Sequence, residues 1–155
     1  MYHSYYEAPV KSSPLGIRIL YQTLPGGFSP LHWHETLEIL YPLNGNMNLL
    51  LEGERYNLPK KNLTVIECRQ AHSTQIAGDT AMNICVHVSK DKLKSYLPDI
   101  ELYRIQCIPE QIHDKQFPFY YEICQMMSTL TKLYMREASI SDLESEGIIL
   151  QVLAH

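Results

Sequence analysis

The pattern of residues 17–88 most constrains what this chain can fold into. Short runs of β-branched, aromatic and leucine residues follow one another there, separated at regular intervals by turn-forming residues. This spacing is typical of β-sandwich and β-barrel proteins. The predicted strands comprise residues 17–23, 37–43, 47–52, 55–58, 63–67 and 82–88. We therefore expect a mainly β fold over this part of the chain.

Two tight turns are predicted between these strands. Asn44 and Gly45 stand between two apolar runs, and both residues tolerate the positive φ that a two-residue hairpin turn requires. A second reversal is expected near Gly53. After the last of these strands, Ser89 can cap a short helix that ends before Pro98, and residues 101–107 are predicted to form one more strand.

The remainder of the sequence predicts helices. Apolar residues at steps of three and four indicate a helix over residues 118–136: Phe119, Ile123, Met126, Met127, Leu130, Leu133 and Tyr134. Ser141 and Glu144 fit a capping box that opens a further helix, which is still apolar where the sequence stops. We therefore expect a β region followed by an antiparallel helix pair, in a chain that continues beyond His155.

Composition excludes several classes of protein. A chain of 155 residues that is 45% hydrophobic fits one globular domain. Its net charge of -4, with scattered Lys and Arg, lacks the basic stripe that holds nucleic acid. No segment approaches the ~20 apolar residues of a membrane span. Four widely spaced cysteines suggest neither a zinc ribbon nor a disulfide framework, so we expect a soluble, cytoplasmic protein with reduced thiols.

Histidines near the start of the β region are candidate ligands. His32 and His34 are two residues apart, so in an extended chain their imidazoles point to the same face. On a straight strand the Cα of Glu38 would lie about 13 Å from that of His34, so shared coordination requires a bend at residues 35–36. An antiparallel barrel can place His72 opposite. These four side chains suit Fe, Mn, Ni, Cu or Zn, although paired histidines can also serve only as hydrogen-bonded core residues.

The spacing of these residues resembles a known motif. Gly26, His32, His34, Glu38 and Gly45 match the first cupin motif at every position and gap. The resemblance implies a cupin-like double-stranded β-helix, or jelly-roll barrel.

The second cupin motif is much weaker in this sequence. Lys61, Glu67 and Arg69 stand where that motif has Gly, Pro and Gly, and Ile76 replaces its Asn. Only His72 matches.

Several longer segments resemble the N-terminal effector-binding domain of AraC-type transcription regulators over residues 17–155. They are HWHETLEILYPLNGN, LEGERYNLPKKNLTVIECRQAH and the two-helix tail. The resemblance implies a barrel at residues 17–108 that binds a small effector, and a helical region at 109–155 that forms a homodimer. Residues 1–16 would form a Tyr-rich arm that either folds over a neighbouring surface or frays. A DNA-binding domain with two helix-turn-helix motifs is expected beyond residue 155.

The resemblance also implies ligand-binding residues. His32, His34, Glu38 and His72 would line the effector pocket and could hold one divalent transition metal, Zn, Ni, Fe or Mn. The alternative is an organic effector without a metal. Arg18 is a further candidate, as a partner for an anionic effector, unless it is simply an exposed strand residue. His87 alternates with apolar residues and is predicted to face the opposite side of its strand.

A second function class remains open. The complete ligand set would equally suit a metal-dependent cupin enzyme, an isomerase or dioxygenase, in which the metal polarises a substrate or activates oxygen. The sequence has no G-x-S-x-G elbow and no cysteine beside a histidine in a recognisable catalytic pattern, so no residue is predicted to act in covalent catalysis.

Overall fold

A computed structural model describes residues 4–8, 12–22, 27–105, 107–108, 119–135 and 142–155, except for the side chains of residues 77–81, 134–135 and 142. The chain divides into two compact units, Met1–Glu110 and Gln111–His155. The first unit is a seven-stranded sheet and the second is helical. The predicted fold class, mainly β with C-terminal helices, is confirmed.

Two long strands form the centre of the sheet. β4 (Leu37–Leu51) and β7 (His72–Val88) pair antiparallel along their whole length. The shorter strands are β1 (Tyr5–Tyr6), β2 (Ile17–Gln22), β3 (Phe28–Trp33), β5 (Glu54–Leu58) and β6 (Thr64–Ile66). β2 and β3 pair with opposite ends of β7, and β5 and β6 pair with opposite ends of β4. Each long strand therefore belongs to both halves of the barrel.

The hairpin predicted at Asn44-Gly45 is wrong. β4 continues without interruption through these residues, and Gly45 has a φ of 75° within the strand. The register shifts here, because Asn44 pairs with Met82 whereas Asn46 pairs with Ala77. A positive φ serves a bulge as well as a turn, and a bulge bends a strand around the corner of a barrel.

The reversal predicted near Gly53 is confirmed. Glu52 and Gly53 have φ of 50° and 90°, and they connect β4 to β5 as a two-residue turn. The strands predicted at 55–58 and 63–67 correspond to β5 and β6, and the strand at 82–88 is the second half of β7. β3 was not predicted as a strand.

The strand predicted over residues 101–107 is also wrong. Ile100–Leu102 forms a 3-10 helix, and Cys107 makes only an isolated bridge with Val65. Ile100 is buried whereas Leu102 is 82% exposed, so the apolar residues do not share one face of a sheet.

The helices follow the predicted pattern. α1 (Lys90–Leu93) starts after Ser89, whose side chain makes no capping hydrogen bond. α2 (Tyr120–Met135) and α3 (Asp142–Ala154) form the second unit, and Ser141 of the predicted capping box lies outside the described residues. The rings of Phe119 and His155 stack at 5.5 Å, so the start of α2 lies against the end of α3 and the pair is antiparallel. None of the described helices is long and apolar enough to cross a membrane.

The core of the first unit lies between the two halves of the barrel. It combines apolar side chains from β4, β5, β6 and β7 with Ile108, which lies outside the strands: Leu40, Met47, Leu49, Leu51, Leu58, Ile66, Ile76, Cys85 and Ile108. Burial of such side chains contributes about 1.5–3 kcal/mol each to folding. A cluster of polar side chains, His32, His34, Glu38 and His72, adjoins this apolar interior.

Candidate metal and ligand site

The four residues of the predicted ligand set come together in the barrel. His32 lies on β3, Glu38 on β4 and His72 at the start of β7. His34 follows β3, and each of the four residues is at least 95% buried. One ligand atom from each of them lies within 4.8 Å of the others.

The connection between β3 and β4 brings Glu38 back to the histidines. Residues 35–36 form the predicted bend, and β4 begins directly afterwards at Leu37. As a result, His34 Nε2 and Glu38 Oε2 are 2.9 Å apart, although their residues are four apart in the sequence.

Backbone carbonyl groups orient all three imidazoles. The Nδ1 atoms of His32, His34 and His72 lie 2.7, 2.9 and 2.8 Å from carbonyl oxygens. Those oxygens belong to residues two positions away: Pro30, Thr36 and Gln70. A carbonyl oxygen can only accept, so each Nδ1 carries the proton and each Nε2 is left as a lone-pair donor. This is the tautomer that a metal-binding histidine uses.

The electrostatics at the centre favour an ionised carboxylate. Burial opposes the charge on Glu38, but contacts with His34 and His72 outweigh it and hold the pKa of Glu38 well below its ordinary value. Burial also opposes the charge on His72, yet the neighbouring Glu38 carboxylate raises the pKa of His72. Burial, followed by the charge on His72, lowers the pKa of His32.

These atoms fit a metal ion. His72 Nε2 lies 2.9 Å from Glu38 Oε2, but it is fully buried and has no hydrogen-bond partner among the described residues. When His72 is neutral with its proton on Nδ1, the lone pairs of Nε2 and of the carboxylate face each other, and either a proton or a metal ion between them removes the repulsion. Three imidazole nitrogens and one carboxylate oxygen match the donor set of zinc, iron, nickel or manganese sites.

Cys85 and His87 extend the cluster along β7. In register they lie opposite Leu40 and Glu38. Cys85 Sγ lies 3.0 Å from Glu38 Oε1 and 3.4 Å from His87 Nε2. Burial raises the pKa of Cys85 and lowers that of His87, so the thiol keeps its proton and the imidazole is neutral.

Sequence reasoning missed both residues as part of the site. As predicted, His87 and the residues Ile84 and Val86 lie on different faces of β7. However, the face with His87 is the one that points toward His34 and the ligand cluster. The register shift within β7 brings His72 and His87 to the same interior, although a regular strand would place them on opposite faces. A Cys and a His alternating with a wholly apolar face was the available signal.

A cavity of about 800 Å³ adjoins this cluster. His34, Thr36 and His87 contribute to its wall, together with Arg18. Arg18 lies on β2 and pairs in register with His87 on β7. It is half-buried, whereas the alternative hypothesis for this residue was an exposed position on the strand.

Ion pairs with Lys or Arg involve four of the acidic residues around the cavity. In two of the ion pairs both partners line the cavity: Glu67 with Lys90 at 2.7 Å and Glu35 with Arg69 at 2.8 Å. Asp91 and Glu101 both pair with Lys94. By contrast, Arg18 and Arg104 have no carboxylate within 4.0 Å in the described part of the chain.

The family of this chain follows from comparison with known sequences. The model of the AraC-like ligand binding domain matches residues 14–153. The chain belongs to this family. No curated protein matches it.

The AraC-like domain is also similar to solved structures at low identity. One is an oxalate decarboxylase of Bacillus subtilis, at 20% identity and a TM-score of 0.42, over 48% of this chain and 21% of that one. Another is the cupin domain of Cnp3 from Schizosaccharomyces pombe, at 11% identity and a TM-score of 0.43, over 53% and 61% of the two chains. The chain thus spans about a fifth of the length of the decarboxylase.

The N-terminal arm of the AraC-like domain folds over the histidines. Tyr5 and Tyr6 pair in parallel with His32 and Trp33, and the rings of Tyr5 and His32 stack at 5.6 Å. Glu7 Oε2 approaches His32 Nε2 to 3.2 Å and lines the cavity. The arm therefore forms part of the cavity wall. Tyr2 lies outside the described residues, as does Gly26 of the first cupin motif.

Proposed function

We propose that this chain is the ligand-sensing domain of an AraC-type transcription regulator. Its cavity binds a small effector, and binding controls a helix-turn-helix DNA-binding domain that follows residue 155. The observation that carries the proposal is a cavity of about 800 Å³ whose wall includes His34, one of the four residues of the buried histidine and glutamate cluster. This volume is typical of small-molecule sites, and the family match supports the sensing role.

The effector carries a negatively charged oxygen group. Arg18 and Arg104 are the lining cations without a carboxylate partner among the described residues, whereas the lining Lys90 and Arg69 are paired with Glu67 and Glu35. A guanidinium without a carboxylate partner favours a carboxylate or phosphate, which Arg binds through two parallel hydrogen bonds. Arg18 is half-buried, so we assign the main contact to it.

One divalent transition metal, Zn, Ni, Fe or Mn, would be held by His32, His34, Glu38 and His72. When bound, it would supply a Lewis-acidic position that ligates an anionic oxygen. Residues around the metal site would orient the effector. Arg18 and His87 lie opposite each other on neighbouring strands, and the Tyr5 ring stacks on His32.

The helical unit would form a homodimer. Exposed apolar side chains on it include Tyr121, 70% exposed, and Leu143, 71% exposed. Such residues favour burial against a second copy. Contact with DNA would occur only through the further domain.

A thermal-shift screen of the purified protein tests the sensing proposal. Small carboxylates and phosphates are expected to raise Tm, because a ligand at about 100 times its Kd stabilises the fold by about 2.7 kcal/mol. Substitution Arg18→Gln should weaken binding about 10- to 100-fold, since a charged hydrogen bond contributes about 1.5–3 kcal/mol. The matched control is Arg55→Gln, an exposed arginine on β5 away from the cavity. Stabilisation by neutral compounds alone, or an unchanged response in Arg18→Gln, would contradict the proposal.

A metal-dependent cupin enzyme is the second candidate. The observation that favours it is the complete set of three histidines and one carboxylate, whose ligand atoms lie within 4.8 Å of one another. The two functions differ in the fate of the bound compound. Prolonged incubation with metal-loaded protein, followed by mass spectrometry, should return an effector unchanged and a substrate converted.

A further inference from the structure

The three-histidine cluster continues into a group of atoms that its motif does not include. One ligand atom each from Glu38, Cys85 and His87 also lies within 4.8 Å of the other two. Each belongs to a residue type that binds transition metals. Glu38 is common to both groups, and it turns a different oxygen to each: Oε2 to His34 and His72, Oε1 to Cys85.

The separations match the edges of a coordination polyhedron. In a tetrahedral site with Zn–S of about 2.3 Å and Zn–N of about 2.0 Å, sulfur and nitrogen lie about 3.5 Å apart. Cys85 Sγ and His87 Nε2 are 3.4 Å apart, and Cys85 Sγ and Glu38 Oε1 are 3.0 Å apart. An ion can therefore enter between the three atoms with only small side-chain shifts.

A hydrogen bond from Thr36 fixes the orientation of the His87 imidazole. His87 Nδ1 is hydrogen-bonded to Thr36 Oγ1 at 3.0 Å, which leaves Nε2 directed at Cys85. His87 lines the cavity, so one member of the group borders the space through which an ion would enter. A carboxylate that offers one oxygen to each of two neighbouring groups is the arrangement of a bridging ligand.

We infer that Glu38, Cys85 and His87 form a second metal subsite, for a thiophilic divalent ion such as Zn²⁺ or Co²⁺, joined to the three-histidine subsite through Glu38. Binding forms a metal–sulfur bond and releases the thiol proton to solvent, with no change in oxidation state. The subsite goes beyond the sensing role proposed above and does not depend on an effector.

Titration of metal-free, reduced protein with Co²⁺ tests the subsite. We expect two equivalents to bind, one of which produces the near-ultraviolet charge-transfer absorption of a cobalt thiolate. Cys85→Ser should lose this absorption and one equivalent while retaining the other. His32→Ala should keep the absorption, because His32 belongs only to the three-histidine subsite.

The matched control is Cys68→Ser, which removes a thiol of the cavity wall that lies outside the group and should change neither the stoichiometry nor the absorption. The inference is overturned if the unmodified protein binds Co²⁺ without thiolate absorption, since Cys85 would then only donate its hydrogen bond to Glu38. It is also overturned if the absorption survives Cys85→Ser. A failed effector screen would leave both metal results unchanged, so the two proposals fail separately.

Discussion

The two segments that supply the histidines reach the same geometry from different sequences. The segment with His32 and His34 has every residue of the first cupin motif, whereas the segment with His72 has lost the glycines of the second. Nevertheless, Lys61 and Arg69 adopt φ of 64° and 66° at those two positions, as glycine readily does. The backbone shape that places His72 is therefore retained without the residues that favour it.

Hydrogen bonds between the segments replace the lost conformational preference. Lys61 N donates to Pro42 O at 2.6 Å, and Arg69 N donates to His34 O at 2.8 Å. Both turns of the second segment are thus fixed to the first. At the position of the motif proline, Glu67 accepts hydrogen bonds from the backbone N–H groups of Cys68 and Ile105 and pairs with Lys90. The comparison shows that local sequence fixes the first segment and that tertiary contacts fix the second.

The largest expected effect tests whether the segments contribute equally. His34→Ala and His72→Ala should each reduce Zn²⁺ affinity by more than about 100-fold, because loss of a direct ligand exceeds the effect of losing an outer partner. Competition with a chromophoric chelator measures this. A large loss for His34→Ala beside an unchanged affinity for His72→Ala would show that the second segment does not reach the metal.

The next effect concerns Glu67. Burial raises the pKa of this carboxyl, but Lys90 and the backbone donors lower it further, so the net pKa is below its ordinary value. Glu67→Gln should reduce the free energy of unfolding by about 1.5–3 kcal/mol at pH 7, as measured by urea denaturation. A depressed folded-state pKa stabilises above the unfolded value of about 4.3, and the contribution is lost as pH falls through the folded pKa.

The difference between Glu67→Gln and the unmodified protein should therefore shrink below about pH 4. Glu35→Gln is the control, because its ion pair with Arg69 is largely exposed and should contribute less than about 1 kcal/mol. Equal losses for the two variants would contradict the idea that Glu67 replaces the motif proline as a structural centre.

The smallest effect comes from the backbone itself. Lys61→Gly should stabilise the protein by about 0.5–1 kcal/mol, because relief of the left-handed conformation outweighs the entropy that glycine adds to the unfolded chain. Gly45→Ala is the opposite test in the first segment and should destabilise by about 1 kcal/mol, since Gly45 has a φ of 75°. Urea midpoints measure both. A destabilised Lys61→Gly would show that the side chain of Lys61 matters more than its φ.

Prediction from sequence succeeded where one local preference has one structural outcome. The periodicity of α2 and the Gly53 turn are examples, and the spacing of His32, His34 and Glu38 required the bend that is present. It failed at Asn44-Gly45, because a positive φ is equally compatible with a hairpin and a bulge, and only the pairing with β7 selects the bulge.

The site was predicted in part for the same reason. The motif residues come together, but Cys85 and His87 were missed because their direction depends on the register shift within β7. Alternation along a strand cannot be carried across such an irregularity. The prediction for residues 101–107 failed differently, because the segment begins in the 3-10 helix Ile100–Leu102 and its described residues meet β6 only at the isolated bridge between Cys107 and Val65.

The carbonyl groups that hold the three Nδ1 atoms have an evolutionary consequence. Every amino acid carries a backbone carbonyl, so replacing Pro30, Thr36 or Gln70 need not remove the acceptor that sets the tautomer and tilt of each imidazole. Relatives can therefore diverge widely around the histidines and still inherit a correctly aimed ligand set. New effector preferences can arise by changing the cavity wall while the orientation of the imidazoles is left untouched.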